Sequence, residues 1–215
     1  MARRLVEGRL VLASHNRDKL AELQELLAGR AVEVIPAAAL GLAEPVEDGT
    51  TFAANARIKA HAAARAAGLP ALADDSGLVV RGLDGRPGVH SARWAGPERD
   101  FARAMTRVRD ALGARFGSFA AADRSAAFVA ALCLAWPDGH DELVEASVEG
   151  TLVDPPRGAA GFGYDPMFVP TGARRTFGEL PRAAKQALSH RGRALRRLLV
   201  ACFPPLPLRS PPPPR

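Results

Sequence analysis

Two consecutive carboxylates, a hydroxyl and a glycine stand together in Ala73-Asp74-Asp75-Ser76-Gly77-Leu78-Val79-Val80, between short apolar runs. The run before them, Leu69 to Ala73, is interrupted by Pro70; the run after them is Leu78 to Val80. Two acids at the end of a buried strand are costly to desolvate unless something positive pairs with them. A divalent cation with oxygen ligands is a natural partner, and magnesium usually arrives with a substrate phosphate. Neighbouring side chains in extended backbone point to opposite faces, so only one of the two acids is expected to face a given pocket. The same residues also fit a turn whose acids cap backbone amides.

A second group that could do chemistry is Ser14-His15-Asn16-Arg17-Asp18-Lys19. Leu10-Val11-Leu12-Ala13 precedes it without alternation, as expected of a strand buried on both faces. Leu20, Leu23, Leu26 and Leu27 follow at helical spacing, with Gly29 to close the helix. Strand, polar turn and helix start aim backbone amides and side chains at one point, which favours anions. Ser14 and Asn16 can donate hydrogen bonds there, and Lys19 adds a mobile positive charge. The glycines of a P-loop are missing, and an ordinary N-cap with solvated polar residues is the competing reading.

Further elements must position these groups. Val32 to Ile35 reads as a strand ended by Pro36. Glu44 to Thr51 is a polar loop turning at Glu47-Asp48-Gly49, and Thr51 can cap an alanine-rich helix from Phe52 to Ala67, stopped by Gly68. Asn55 and Lys59, spaced i, i+4, share a face of that helix; they either line a pocket with Glu47 or are solvated. Gly82 to Gly88 is turn-dense, and Pro97 to Leu112 is predicted helical. Ala126 to Ala135, the turn Pro137-Asp138-Gly139 and Glu142 to Thr151 suggest a β-hairpin, so the sheet must be mixed. In Gly161-Phe162-Gly163-Tyr164-Asp165-Pro166, two glycines flank an aromatic and allow close backbone approach with a ring exposed for stacking. Pro181 opens a helical turn and Ser189 can cap a final helix with Leu195, Leu198 and Leu199 as its apolar stripe. The tail from Pro204 is proline-rich and is expected to be disordered.

The 215 residues suit one large domain or two small lobes. With 47% apolar and 24% charged residues the composition is globular. No apolar run approaches the roughly 18 residues needed to span a bilayer, so no membrane association is expected. No secretory signal is evident, and Cys133 and Cys202 lie in apolar surroundings as expected of reduced thiols in a cytoplasmic protein. The net charge of +6 fits a polyanionic ligand, nucleotide or nucleic acid, and fits equally an arginine-rich coding bias.

SHNRDK, EDGTTFAANARIKA, ADDSGLVV with LDGRPGVHSAR, GFGYDPMF, TFGEL and KQALSHR occur in this order. Together they closely resemble the inosine triphosphate pyrophosphatase family, from about Leu10 to Leu199. The resemblance implies an α/β fold, two-lobed around a long curved mixed β-sheet flanked by helices. It places a single domain over 1–203 with the tail outside it, and it implies a homodimer. It implies a magnesium-dependent hydrolysis of the nucleoside triphosphates ITP, dITP and XTP to the monophosphate and pyrophosphate. By the same resemblance the segment Ser14, His15, Asn16, Arg17, Asp18 and Lys19 binds substrate, with Ser14, Asn16 and Lys19 on the triphosphate. Asp75 would be the metal-associated carboxylate and general base, with Ser76 beside the substrate. Phe162 would stack on the purine within a wall continued by Gly163, Tyr164 and Asp165, and Lys185, His190 and Arg191 would complete the base pocket. Val46 stands where some relatives carry an acid, which makes Glu47, one residue on, the candidate second metal ligand; Asp74 would be structural.

A metal with a carboxylate lowers the cost of deprotonating water, and magnesium with Lys19 would offset charge on the departing pyrophosphate. Arg191 or a protonated His190 would reward a 6-keto purine and leave adenine mismatched. One alternative keeps this chemistry on another base, such as a modified pyrimidine. The other is a basic nucleic-acid-binding module, but with only 6% aromatic residues and scattered arginines no stable nucleic-acid partner is expected.

Overall fold

The computed structural model describes residues 2–14, 16–30 and 32–204. The expected substrate contact of His15 and the tail from 205 onward lie outside the described residues, as does the side chain of Arg17. The chain runs β1 (Arg9–Leu12), α1 (Arg17–Leu27), β2 (Glu33–Pro36), α2 (Phe52–Ala67), β3 (Ala71–Val80), α3 (Ser91–Trp94) and α4 (Phe101–Phe116). It continues through β4 (Ser125–Ala135), β5 (Asp141–Leu152), β6 (Phe168–Pro170), α5 (Arg182–Leu188) and α6 (His190–Cys202). The six strands form one sheet in the order β2-β1-β3-β4-β5-β6. β1 is parallel to β2 and β3, and the remaining pairs are antiparallel, so the sheet is mixed as expected.

Burial explains the patterns. β1 lies inside the sheet, and Leu10, Val11 and Leu12 are fully buried, hence its unbroken apolar run. α2 lays Ala56, Ala60, Ala63 and Ala64 on one face of β3 and β4, against Ala71, Ala73, Ala131 and Cys133; small side chains let the helix approach closely. The other face carries two separate clusters. Leu72, Leu132 and Leu134 pack with Leu195 and Leu198 of α6, whereas Leu78, Val80, Ala126 and Phe128 pack with Val108 and Leu112 of α4. Asp74 and Ser76 fall between Leu72 and Leu78 on that face, so the polar stretch opens the gap between two apolar clusters. Cys133 and Cys202 are free and buried, and burial pushes their thiols up to about 12 and about 11.

Two boundaries differ from expectation. The helix predicted over Pro97 to Leu112 runs instead from Phe101 to Phe116. Gly96 and Arg99 adopt positive φ (74° and 54°), which breaks helix before Asp100, and the Asp100 carboxylate caps the Arg103 amide at 3.1 Å. β2 runs from Glu33 to Pro36 rather than from Val32 to Ile35, with Pro36 inside the strand as its last residue, tolerated because β2 is a sheet edge. Thr51 and Ser189 cap α2 and α6 as expected, accepting from the amides of Ala54 and Gly192. Among the described residues no helix is long and apolar enough to cross a membrane.

Candidate active site

One cavity is lined by Ser14, Asn16, Lys19, Glu47, Asp75, Ser76, Phe162, Gly163, Tyr164, Asp165, Lys185, His190 and Arg191. Separated sequence motifs therefore converge on a single site. Asp18 does not reach it: it is exposed and lies against a separate neighbouring depression. Both Asp74 and Asp75 line the cavity, which corrects the expectation that strand alternation admits only one of them. Alternation does hold in their contacts, but the cavity is open to both faces of β3 at this point.

On the α2 face of β3, Asp75 receives Lys59 Nζ on Oδ1 at 3.1 Å and Asn55 Nδ2 on Oδ2 at 3.3 Å. Lys59 also reaches Glu47 Oε1 at 2.9 Å. Asn55 accepts from the Gly49 amide at 2.9 Å, which ties the Glu47-Asp48-Gly49 turn to the helix. A Cβ at Gly49 would lie 2.8 Å from that of Ala54, so the turn needs glycine there. Asn55 and Lys59 are both buried rather than solvated, and of the two Lys59 lines the cavity with Glu47 while Asn55 supports Asp75. Burial is the largest influence on Asp75 and raises its carboxyl above the ordinary range; Lys59 and Lys19 oppose this, while Glu47 and Asp74 reinforce it. The region thus holds more acid than its lysine neutralises.

Across the strand, Asp74 is paired on all sides. Lys19 Nζ lies 2.6 Å from Oδ1, Arg191 Nε donates to Oδ2 at 3.0 Å and Ser76 Oγ donates to Oδ1 at 3.0 Å. Although burial opposes it, Arg191 and Lys19 hold this carboxyl far below the ordinary range. Arg191 also donates through Nη1 to Glu22 and through Nη2 to Ser76 Oγ at 2.8 Å. Asp74 is thus a structural group, not as a cap on backbone amides but as the anion between Lys19 and Arg191.

The far wall is built from the glycine-flanked aromatic. Asp165 accepts from the Phe162 amide at 2.7 Å and pairs with Lys185 at 2.7 Å, and Lys185 donates to Glu22 at 3.0 Å. Gly161 has φ of 75°, and a Cβ there would collide with the Asp165 carboxylate. Lys185 Nζ sits 4.3 Å from the Phe162 ring centre and Arg191 Cζ 5.5 Å from it. Tyr164 is buried and donates its hydroxyl to the Ser91 carbonyl at 2.9 Å, so it fastens the wall to α3. His190 stacks on Phe128 with centroids 4.9 Å apart, and its Nδ1 is buried without a hydrogen-bond partner among the described residues. Burial first, then Arg191, Lys185 and Lys19, push His190 well below its ordinary range against the pull of Asp74. The protonated His190 expected as a base reader is therefore corrected to a neutral imidazole.

At the start of α1, Asn16 Oδ1 accepts from the amides of Asp18 and Lys19 at 3.0 and 3.2 Å. Two amides expected to meet an anion are thus already bonded, leaving the Ser14 hydroxyl, the Asn16 side-chain amide and Lys19 as its described side-chain donors on the cavity. Glu22, one helical turn beyond Lys19, escaped the sequence reading. Its signal is an acid at i+3 from Lys19, beside an apolar stripe. For a metal, Glu47 and Asp75 share one ammonium and offer hard oxygen donors. Among the described residues no three His, Cys, Asp or Glu side chains gather to hold an ion alone. That donor set fits magnesium, which takes one or two carboxylates and completes its shell with water and phosphate.

A sequence model of the Ham1 family matches residues 10–201. A Bradyrhizobium sp. (strain BTAi1) protein named dITP/XTP pyrophosphatase is 58% identical over 207 residues, covering 93% of this chain and 96% of that one. A Rhodopseudomonas palustris protein of the same name is 57% identical over 207 residues, covering 93% and 98%. A solved HAM1 protein from Coxiella burnetii superposes with a TM-score of 0.83 at 42% identity, covering 90% of this chain and 98% of that one. The Staphylococcus aureus Ham1 protein gives 0.79 at 32% identity, with 89% and 96% covered.

Proposed function

The chain belongs to the Ham1 family, and from that premise we propose that it hydrolyses nonstandard purine nucleoside triphosphates (dITP, XTP and ITP) to the monophosphate and pyrophosphate. The observation that carries this reading is the single cavity joining an acid-rich pocket at Asp75, the donors at the start of α1, and the Phe162 wall. Relatives named dITP/XTP pyrophosphatase support the substrate class.

Asp75 is the group to take a proton from the attacking water. Its carboxyl is raised by burial, which makes it a better base than an exposed aspartate. Glu47 and Asp75 would hold magnesium, which when bound supplies charge neutralisation of the phosphates and a more acidic water. Lys19 stabilises the charge on the departing pyrophosphate, and Asp74 holds its ammonium in place at 2.6 Å. Asn55 and Lys59 orient Asp75 from α2. The purine sits against Phe162, whose ring is set by Asp165 on its amide and by Lys185 beside it. An N–H of neutral His190 donates to the 6-keto group, where adenine would bring a donor instead; an unpaired buried group penalises the mismatch strongly. The enzyme works as a homodimer in the cytoplasm, a reading that light scattering tests for the assembly.

The test is pyrophosphate release from dITP, XTP, ATP, GTP and dUTP, with magnesium and with EDTA. The expected result is magnesium-dependent turnover of dITP and XTP, with kcat/KM about a hundredfold or more above ATP. A preference for dUTP would move the chemistry to a pyrimidine. Salt-dependent binding of duplex DNA without turnover would replace the enzyme with a nucleic-acid-binding module.

A further inference from the structure

Among the described residues five cations line the cavity, and four of them meet a carboxylate within 4.0 Å: Lys19 with Asp74, Lys59 with Asp75 and Glu47, Lys185 with Asp165, and Arg191 with Asp74. The fifth, Arg99, has no hydrogen-bonded or ion-paired side-chain partner among the described residues. It is also one of two described non-glycine residues with positive φ, at 54°. That backbone region disfavours a bulky side chain and persists where surrounding structure imposes it. The imposing structure is a hydrogen-bonded turn. Arg99 donates its amide to the Gly96 carbonyl at 3.1 Å, and Asp100 donates to the Ala95 carbonyl at 3.0 Å before capping α4. Ala95 is fully buried, so the turn is anchored in the core while Arg99 is exposed at the cavity.

We propose that Arg99 is a substrate-binding residue for the polyphosphate of the nucleotide, a cation presented to the cavity by a strained turn. The proposal rests on the nucleotide-hydrolysing reading and extends it to a residue outside every motif that carried that reading. Among the described residues five carboxylates line the same cavity as the five cations, so that described lining has no surplus positive charge for a polyanion. A guanidinium without a carboxylate partner can pair two phosphate oxygens at once, with no existing bridge to share its donors.

The test compares the parent protein with Arg99→Ala, Arg99→Lys and Arg99→Gly, by calorimetry with a non-hydrolysable α,β-imido analogue of ITP and with IMP. The analogue is expected to bind Arg99→Ala about tenfold more weakly, the loss of one charged hydrogen bond. IMP, which lacks the outer phosphates, is expected to bind within about twofold of the parent. Arg99→Lys should recover part of the loss. Arg99→Gly, which suits positive φ, should bind the analogue as weakly as Arg99→Ala with no fall in Tm. Unchanged binding of the analogue, as a merely solvated arginine would give, overturns the proposal. So does an equal loss for IMP and the analogue, which would place Arg99 at the base or act through general disruption. Failure of the nucleotide reading itself is separate: it appears as absence of dITP turnover by the parent protein.

Discussion

On one face of β3 the Asp74 carboxylate meets Lys19 at 2.6 Å and Arg191 at 3.0 Å; on the other, one residue later, Asp75 shares the Lys59 ammonium with Glu47. The consequences are opposite. Asp74 is held far below the ordinary carboxyl range by Arg191 and Lys19 against the effect of burial, whereas burial prevails at Asp75 and raises it. Equal chemical groups at nearly equal depth thus become a structural anion and a reactive one. What separates them is the number of cations within reach. A carboxylate with its charge matched twice holds elements together. One with an acid neighbour and half a lysine is poised to take a proton or a further cation.

The largest effect that could break this comparison is on stability. Asp74→Asn leaves Lys19 and Arg191 buried without their shared anion and is expected to cost about 3–5 kcal/mol, a fall in Tm on the order of 10 °C. Scanning calorimetry checks it, and a loss no larger than that of Asp75→Asn would erase the distinction. The next effect is on titration. Lys59→Met removes the strongest charge that lowers Asp75, so the acid limb of kcat/KM for dITP should move up by about 1 pH unit. A pH profile that stays in place would show that Asp75 does not govern that limb.

The smallest effect concerns His190, on the paired face. Its folded-state pKa lies well below the ordinary 6.5 because of burial, Arg191, Lys185 and Lys19. The unfolded chain therefore takes up a proton that the fold excludes. Its contribution to stability is complete above about pH 6.5 and declines as the pH falls, by about 1.4 kcal/mol per unit until the folded value is reached. Urea unfolding from pH 7.5 to 5 should show this slope, and His190→Phe, which keeps a ring against Phe128, should lack that component.

Much of this arrangement was legible before any coordinates. Thr51, Gly68 and Ser189 mark helix ends by local chemistry alone, and the unbroken Leu10 to Leu12 run marks an interior strand. The motifs also named most of the groups on the cavity, Arg99 being an exception. Other features were not legible because they depend on distant partners. Nothing local distinguishes Asp74 from Asp75; only the arrival of Arg191 from α6 and Lys59 from α2 does. Glu22 reads as an ordinary helix acid until Lys185 and Arg191 converge on it. Strand alternation correctly put the two aspartates on opposite faces but could not reveal a cavity open to both. The late start of α4 was hidden because positive φ at Arg99 is not a local preference of arginine.

Asp75 is the residue on which the chemistry turns. Turnover of dITP with magnesium, measured for the parent protein and Asp75→Asn alongside their Tm values, tests it most directly. The substitution should lower kcat by about a thousandfold or more, while Tm stays close to that of the parent and well above that of Asp74→Asn. Turnover within tenfold of the parent, in an equally stable Asp75→Asn protein, would contradict the assignment of Asp75 as the proton acceptor.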